Sequence, residues 1–226
     1  MSRKALVVRD LVKRFRDPEG EEHVVVDVPS LEIDAGEEVA VSGESGSGKT
    51  TLLHLVAGIL RADAGTIEIA GDAMTGLSEP ARDRLRARRI GYVFQTFNLL
   101  STMTALENVE VGMSFRPGIA KPKEAARAAL DRVGLSHRLG HLPRQLSVGQ
   151  QQRVAIARAL AGKPDLVLAD EPTSNLDRKN AEACLELLRT FARESKAALL
   201  LVSHDAAVLA GFARTVRLEV PSGARS

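Results

Sequence analysis

Four short runs in this chain are apolar at successive positions instead of alternate ones: EVAVSG (38–43), IGYVFQ (90–95), DLVLADE (165–171) and AALLLVSH (197–204). A strand with one solvated face alternates apolar and polar residues. A strand covered on both faces does not, and that is the habit of parallel sheets flanked by helices. The intervening segments read as helices. KTTLLHLVAGIL (49–60) is apolar on nearly every side, and AEACLELLRTFA (181–192) places Ala181, Cys184, Leu185, Leu188 and Phe191 on one stripe. The fold class that follows is α/β with a mainly parallel core sheet.

Each run ends in residues able to handle phosphate, metal or protons: Gly43 onward, Gln95, Asp170 with Glu171, and His204. In an open parallel sheet ligands bind beyond the carboxyl ends of the strands, so these four groups are expected on one edge.

The rest of the chain is organised around that sheet. The first 36 residues combine strand-like ALVVRDLVKRF, a turn-like RDPEGEE and HVVVDVPSLEI, which predict an antiparallel β subdomain. Residues 98–162 read as mainly helical and lie between two core strands, a helical lobe inserted into a core lobe of 1–97 and 163–226. A chain of 226 residues suits one such unit.

A formal charge of +2 is too small to imply a nucleic-acid or membrane partner through bulk electrostatics. RDRLRARR (82–89) concentrates arginine locally; it reads as a solvated helix face or as a contact to a membrane protein or anionic lipid, and it lacks the aromatics that stack on bases. No nucleic-acid partner is expected. Cys184 is the single cysteine and is expected in the core, so a disulfide-held exported protein is not expected and a reducing cytoplasm fits. No stretch approaches the ~20 apolar residues that span a bilayer.

GESGSGKT (43–50) lies directly after one predicted strand and before a predicted helix. That context gives the G-x-x-x-x-G-K-[ST] pattern its meaning: glycines let the backbone wrap an anion with the N–H groups of Gly46, Ser47, Gly48 and Lys49, and the helix N-terminus adds positive potential. Lys49 is placed to meet the β and γ phosphates of a nucleoside triphosphate, and Thr50 to offer its hydroxyl to Mg²⁺.

Asp170 at its strand end suits Mg²⁺, an ion that takes oxygen ligands and keeps several waters. Glu171 points elsewhere along the backbone and suits a base for the attacking water. His204 is placed for the γ-phosphate and that water, and Gln95 for Mg²⁺ through its amide oxygen.

Together these pieces resemble an ATP-binding cassette (ABC) ATPase. The specific residues are Leu146-Ser147-Val148-Gly149-Gln150, similar to that family's Leu-Ser-Gly-Gly-Gln signature, followed by QQRVAIARAL and by SNLD (174–177). The resemblance covers essentially the whole chain. It implies ATP and Mg²⁺ as cofactors, and a head-to-tail homodimer in which each ATP lies between the phosphate loop of one subunit and the signature of the other.

The implied catalytic residues are Glu171, His204 and Lys49, and the implied metal set is Thr50, Gln95 and Asp170. The implied nucleotide set is Phe15, Gly43, Ser45, Gly46, Ser47, Gly48, Lys49, Thr50, Thr51, Gln95, Ser147, Gly149, Gln150 and Asp177. Phe15 would stack on adenine, with a plain core phenylalanine as the alternative. Asp177 would tie the two sites across the dimer. Val148 departs from the family's glycine; a β-branched residue disfavours positive φ, so an extended or helical backbone is expected there.

GYVFQTFNLLSTMTALENVEVGM (91–113) and the separate cassette chain look like the subgroup serving lipoprotein release, macrolide or peptide export and mechanotransmission. That resemblance implies separate transmembrane permease subunits, a position on the cytoplasmic face of the cell membrane, and a coupling-helix surface within Phe97–Phe115. The rivals are a soluble ABC ATPase of DNA repair or translation, and a P-loop kinase.

Overall fold

The computed structural model describes residues 3–116 and 118–220; Pro117 of the expected helical lobe and the outermost residues of the expected single domain lie outside that set. The elements in order are β1 (Lys4–Arg16), β2 (Glu22–Asp34), β3 (Glu38–Ser42), α1 (Lys49–Val56), β4 (Ala64–Ile69), β5 (Asp72–Ala73), α2 (Glu79–Arg89), β6 (Ile90–Val93), α3 (Ala105–Ser114), α4 (Pro122–Arg132), α5 (Val148–Leu160), β7 (Leu166–Asp170), α6 (Arg178–Ser195), β8 (Ala198–Val202), α7 (Ala206–Leu209) and β9 (Arg214–Arg217).

Two sheets form: an antiparallel one of order β2-β1-β4-β5, and a parallel one of order β6-β7-β8-β3-β9. The four apolar runs supply four of the five parallel strands. Their burial explains the missing alternation. Leu166, Leu168, Ala198, Leu200 and Val202 pack with the antiparallel sheet and α1 on one face. Val167, Ala169, Leu199 and Leu201 pack with α5, α6 and the helical segment on the other. Both side-chain sets must be apolar because neither face meets water.

Four expectations are corrected. The antiparallel sheet is not confined to the first 36 residues, since β4 pairs along β1 and β5 extends it. The helix expected over 49–60 stops at Val56: Gly58 at φ 66 turns the chain, its N–H meeting Leu55 O at 2.9 Å while Ile59 N–H meets His54 O at 2.9 Å. This double closure by a left-handed glycine ends a helix whatever apolar residues follow.

The arginine run is not a free solvated face. Arg82 is buried, Arg86 donates to the Ala57 and Gly58 carbonyls just beyond α1, and Arg88 and Arg89 both pair with Asp72. Finally, Phe15 is 42% exposed, which excludes a core phenylalanine.

Within 97–115, Leu106 belongs to the core whereas Leu100 is exposed. Cys184 is in the core as expected, and burial pushes its thiol up to about 11. At pH 8 only about 10⁻³ of it is then thiolate, so the folded protein should resist iodoacetamide while the denatured chain is alkylated, readable by mass spectrometry. Leu200→Ala in the fully buried centre of β8 should cost about 2–5 kcal/mol in denaturant unfolding.

Candidate nucleotide site

Because the core strands are parallel, the residues following each one share an edge. Gly43 follows β3, Gln95 lies beyond β6, Glu171 follows β7 and His204 lies beyond β8. Gly43, Lys49, Thr50, Gln95, Glu171 and His204 line one cleft of about 720 Å³.

The loop into α1 is shaped by glycine where nothing else fits. Gly48 has φ 83, and a Cβ there would lie 2.3 Å from Val25 O. Gly46 has φ 81 but open space beside it, so the conformation alone requires glycine. The Lys49 ammonium donates to Gly43 O at 2.9 Å and Glu44 O at 2.6 Å, which holds it across the loop mouth. No side chain caps α1 and its first turn has no acidic residue. Its leading N–H groups are therefore left for an anion, which the helix dipole also favours.

Thr50 Oγ1 donates to Asp170 Oδ1 at 3.2 Å. Asp170 is 4% exposed, and burial pushes its carboxyl up from the ordinary value; the Thr50 hydrogen bond pulls it down and the charge of Glu171 raises it. The charges of His54 and Lys49 pull it down as well but offset only part of the burial, and a hydroxyl beside such a carboxylate fits a hard divalent cation, which would offset the rest.

Glu171 departs from the strand at φ 43, so its side chain does not continue the alternation that sends Asp170 to the other side. Its Oε1 is 2.7 Å from His204 Nδ1, and Ser203 Oγ donates to Oε2 at 3.4 Å. With the carboxylate ionised, His204 donates through Nδ1 and keeps Nε2 for the cleft. Gln95 Nε2 donates to Ser174 Oγ at 3.4 Å, and Ser174 Oγ donates to Glu171 O at 3.1 Å. Gln95 thus communicates with the segment that carries the carboxylate.

The structure does not bring the other candidates to this cleft. Ser147 is the N-cap of α5, accepting from Gln150 N–H at 3.3 Å while Gln150 Oε1 accepts from Ser147 N–H at 3.0 Å. Val148 is helical and 48% exposed. Gly149 faces Asn180, whose Oδ1 would lie 3.1 Å from an added Cβ. Asp177 caps α6 and accepts from Asn180 N–H and Nδ2, bonds that hold its carboxyl below the usual range. Phe15 lies on β1 opposite His23, with Lys13 Nζ 5.3 Å from its ring centre.

Sequence reasoning missed Val25. Lys13 pairs with Val26 and Arg14 with Val24, so Val25 is an extra residue in β2, and it lines the cleft. HVVVD carries no local signal for such a bulge.

A strand, glycine loop and helix with carboxylates at the tip of a neighbouring parallel strand define a P-loop nucleoside-triphosphatase site. The family described as ABC transporter matches residues 26–174. The lipoprotein-releasing system ATP-binding protein LolD of Pseudomonas syringae pv. tomato is 45% identical over 222 residues, 97% of each chain. The uncharacterized ABC transporter ATP-binding protein YbbA of Escherichia coli K12 is 45% identical over 83% of each. Among solved structures, a dimeric post-hydrolysis state of the ATP-binding cassette MJ0796 bound to ADP and Pi superposes with TM-score 0.87 at 35% identity, covering 97% of this chain and 98% of that one.

The chain belongs to the ABC transporter family, and is an ATP-binding, ATP-hydrolysing subunit of such a transporter. The kinase reading falls with that membership, and the transporter assignment replaces the soluble repair or translation reading. Among the described residues no helix is long and apolar enough to cross a membrane.

The two loop glycines should respond differently. Gly48→Ala should lower the melting temperature and ATP affinity more than Gly46→Ala, because only the former meets a backbone oxygen as well as left-handed strain of about 1–2 kcal/mol.

Proposed function

We propose that this chain drives a separate membrane permease through ATP-dependent head-to-tail dimerisation, in lipoprotein release or a related export or mechanotransmission system, from the cytoplasmic face of the inner membrane. The observation that carries the reading is the split of the site. The signature turn Ser147–Gln150 is a capped helix start suited to phosphate, yet it stands apart from the residues lining the cleft. A second copy of this chain can bring its nucleotide to that turn. The LolD relative belongs to a lipoprotein-releasing system, which supports lipoprotein release as the class of work.

In this mechanism the N–H groups of the Gly43–Thr51 segment, including Ser45 but not the expected Ser47, whose N–H donates to Glu44 O at 3.1 Å, and the Lys49 ammonium hold the β and γ phosphates. Thr50, Asp170 and Gln95 would hold Mg²⁺, which when bound would supply charge neutralisation to those phosphates. Glu171 takes the proton of the attacking water. His204, hydrogen-bonded to that carboxylate, orients it and turns Nε2 to the γ-phosphate. The signature of the second copy completes the shell with Ser147 Oγ, the Gly149 N–H and Gln150, and Asp177 lies at the seam. Phe15, exposed beside the bulge of β2, stacks on adenine.

Phosphoryl transfer asks the protein mainly for positioning and charge stabilisation, which this set provides.

The permease surface is a second cleft of about 440 Å³ between α2, β6, α3 and α5. Phe115, 71% exposed, stands at it with Ile90, Arg84, Arg86 and Arg158. Apolar side chains among arginines suit an amphipathic helix of a membrane partner.

Glu171→Gln should cut turnover by about 10²- to 10⁴-fold and accumulate an ATP-bound dimer visible by size-exclusion chromatography. Near-normal turnover would remove Glu171 from the base role, and a monomer at saturating ATP would remove the split site.

A further inference from the structure

Gln152 lies within α5 and is 1% exposed. Its Nε2 donates to Pro172 O at 2.8 Å, and Cys184 Sγ of α6 approaches the same carbonyl at 3.6 Å. Reversing the amide would set oxygen against oxygen, so the assignment of Nε2 follows from its partner. Gln152 Oε1 finds no partner among the described residues. A buried, half-satisfied amide is costly relative to a bonded one, and a hydrocarbon side chain of similar volume would escape that loss. Packing therefore does not explain a glutamine here.

The carbonyl it holds does. Pro172 directly follows Glu171 and has no N–H, so its carbonyl is the sole backbone group through which that residue can be hydrogen-bonded. On the other side, Glu171 N–H donates to Val202 O at 3.0 Å. The left-handed turn at Glu171 is pinned by β8 before it and by Gln152 after it. The fixed proline φ transmits the second restraint to the carboxylate.

Resting on the reading of Glu171 as base, we infer that Gln152 is a positioning residue for hydrolysis: α5 presents the signature at its first turn and, through Gln152, aims the Glu171 of its own subunit. The helix that receives the nucleotide of a second copy thereby also sets the geometry of its own site.

The experiment is a double-mutant cycle on the full chain, with steady-state ATPase kinetics and thermal unfolding measured together. Gln152→Met keeps volume and removes the amide; Gln152→Leu is the second substitution should the first fold poorly. With Glu171 present, kcat should fall by about 10-fold or more while KM for ATP is unchanged, the mark of misplacement instead of lost binding. In the Glu171→Gln background the same change should leave residual turnover unaltered, because the group being positioned is gone.

An equal fractional loss in both backgrounds, or full kcat in Gln152→Met, would overturn the inference while leaving Glu171 as base. Normal turnover of Glu171→Gln alone would remove the base assignment and the inference with it.

Discussion

Between the Gly48 Cα and the Val25 carbonyl there is room for hydrogen and nothing larger, a Cβ falling 2.3 Å from that oxygen. Gly48 is at once the N-cap of α1, part of the anion loop and the point where β2 leans on the parallel-sheet lobe. The bulge at Val25 pushes that carbonyl out of the ladder, and the left-handed backbone of Gly48 receives it. The spacing between the antiparallel sheet and the phosphate loop is therefore set by backbone against backbone, which cannot change rotamer to relax. The rest of the nucleotide edge is built from that fixed point, since Lys49 and Thr50 take their directions from the helix that starts there.

Two adjacent carboxylates acquire different chemistry from that frame. Asp170 completes a fully buried strand and has the Thr50 hydroxyl for company. Glu171 leaves the strand through a left-handed turn and meets His204 and Ser203. Sequence neighbours thus experience separate environments, one desolvated and suited to a cation, the other tied to an imidazole at the rim of a cleft. Gln95, Ser174 and Gln152 all reach the turn that separates them.

What could be read from the sequence was local. The unbroken apolar runs, the glycine loop and the capped start of α5 each declare themselves within about ten residues, since burial on both faces, anion wrapping and capping are short-range demands. β9 gave no comparable signal: Arg214–Arg217 is a polar edge strand that exists because β3 offers it a ladder. The arginines of α2 looked like a solvent face because their partners, Asp72 and the carbonyls just beyond α1, are distant or backbone atoms. The early end of α1 was legible in Gly58 but was masked by the apolar residues around it. Gln152 resembled one more polar residue in a glutamine run; its carbonyl partner belongs to a different strand's exit.

The cap at Ser147 has a consequence for how the turn meets an anion. Its hydroxyl oxygen already accepts the Gln150 N–H, so one lone pair is committed to the helix and the hydroxyl proton is left over. Capping thus sets the polarity of the serine: oxygen turned inward as acceptor, hydrogen available as donor. An arriving phosphate finds a donor whose direction was chosen by the helix before contact, and the turn needs no ligand to keep its own amide satisfied. Folding of the turn and recognition of the anion draw on opposite ends of the same O–H bond, so neither has to be undone for the other.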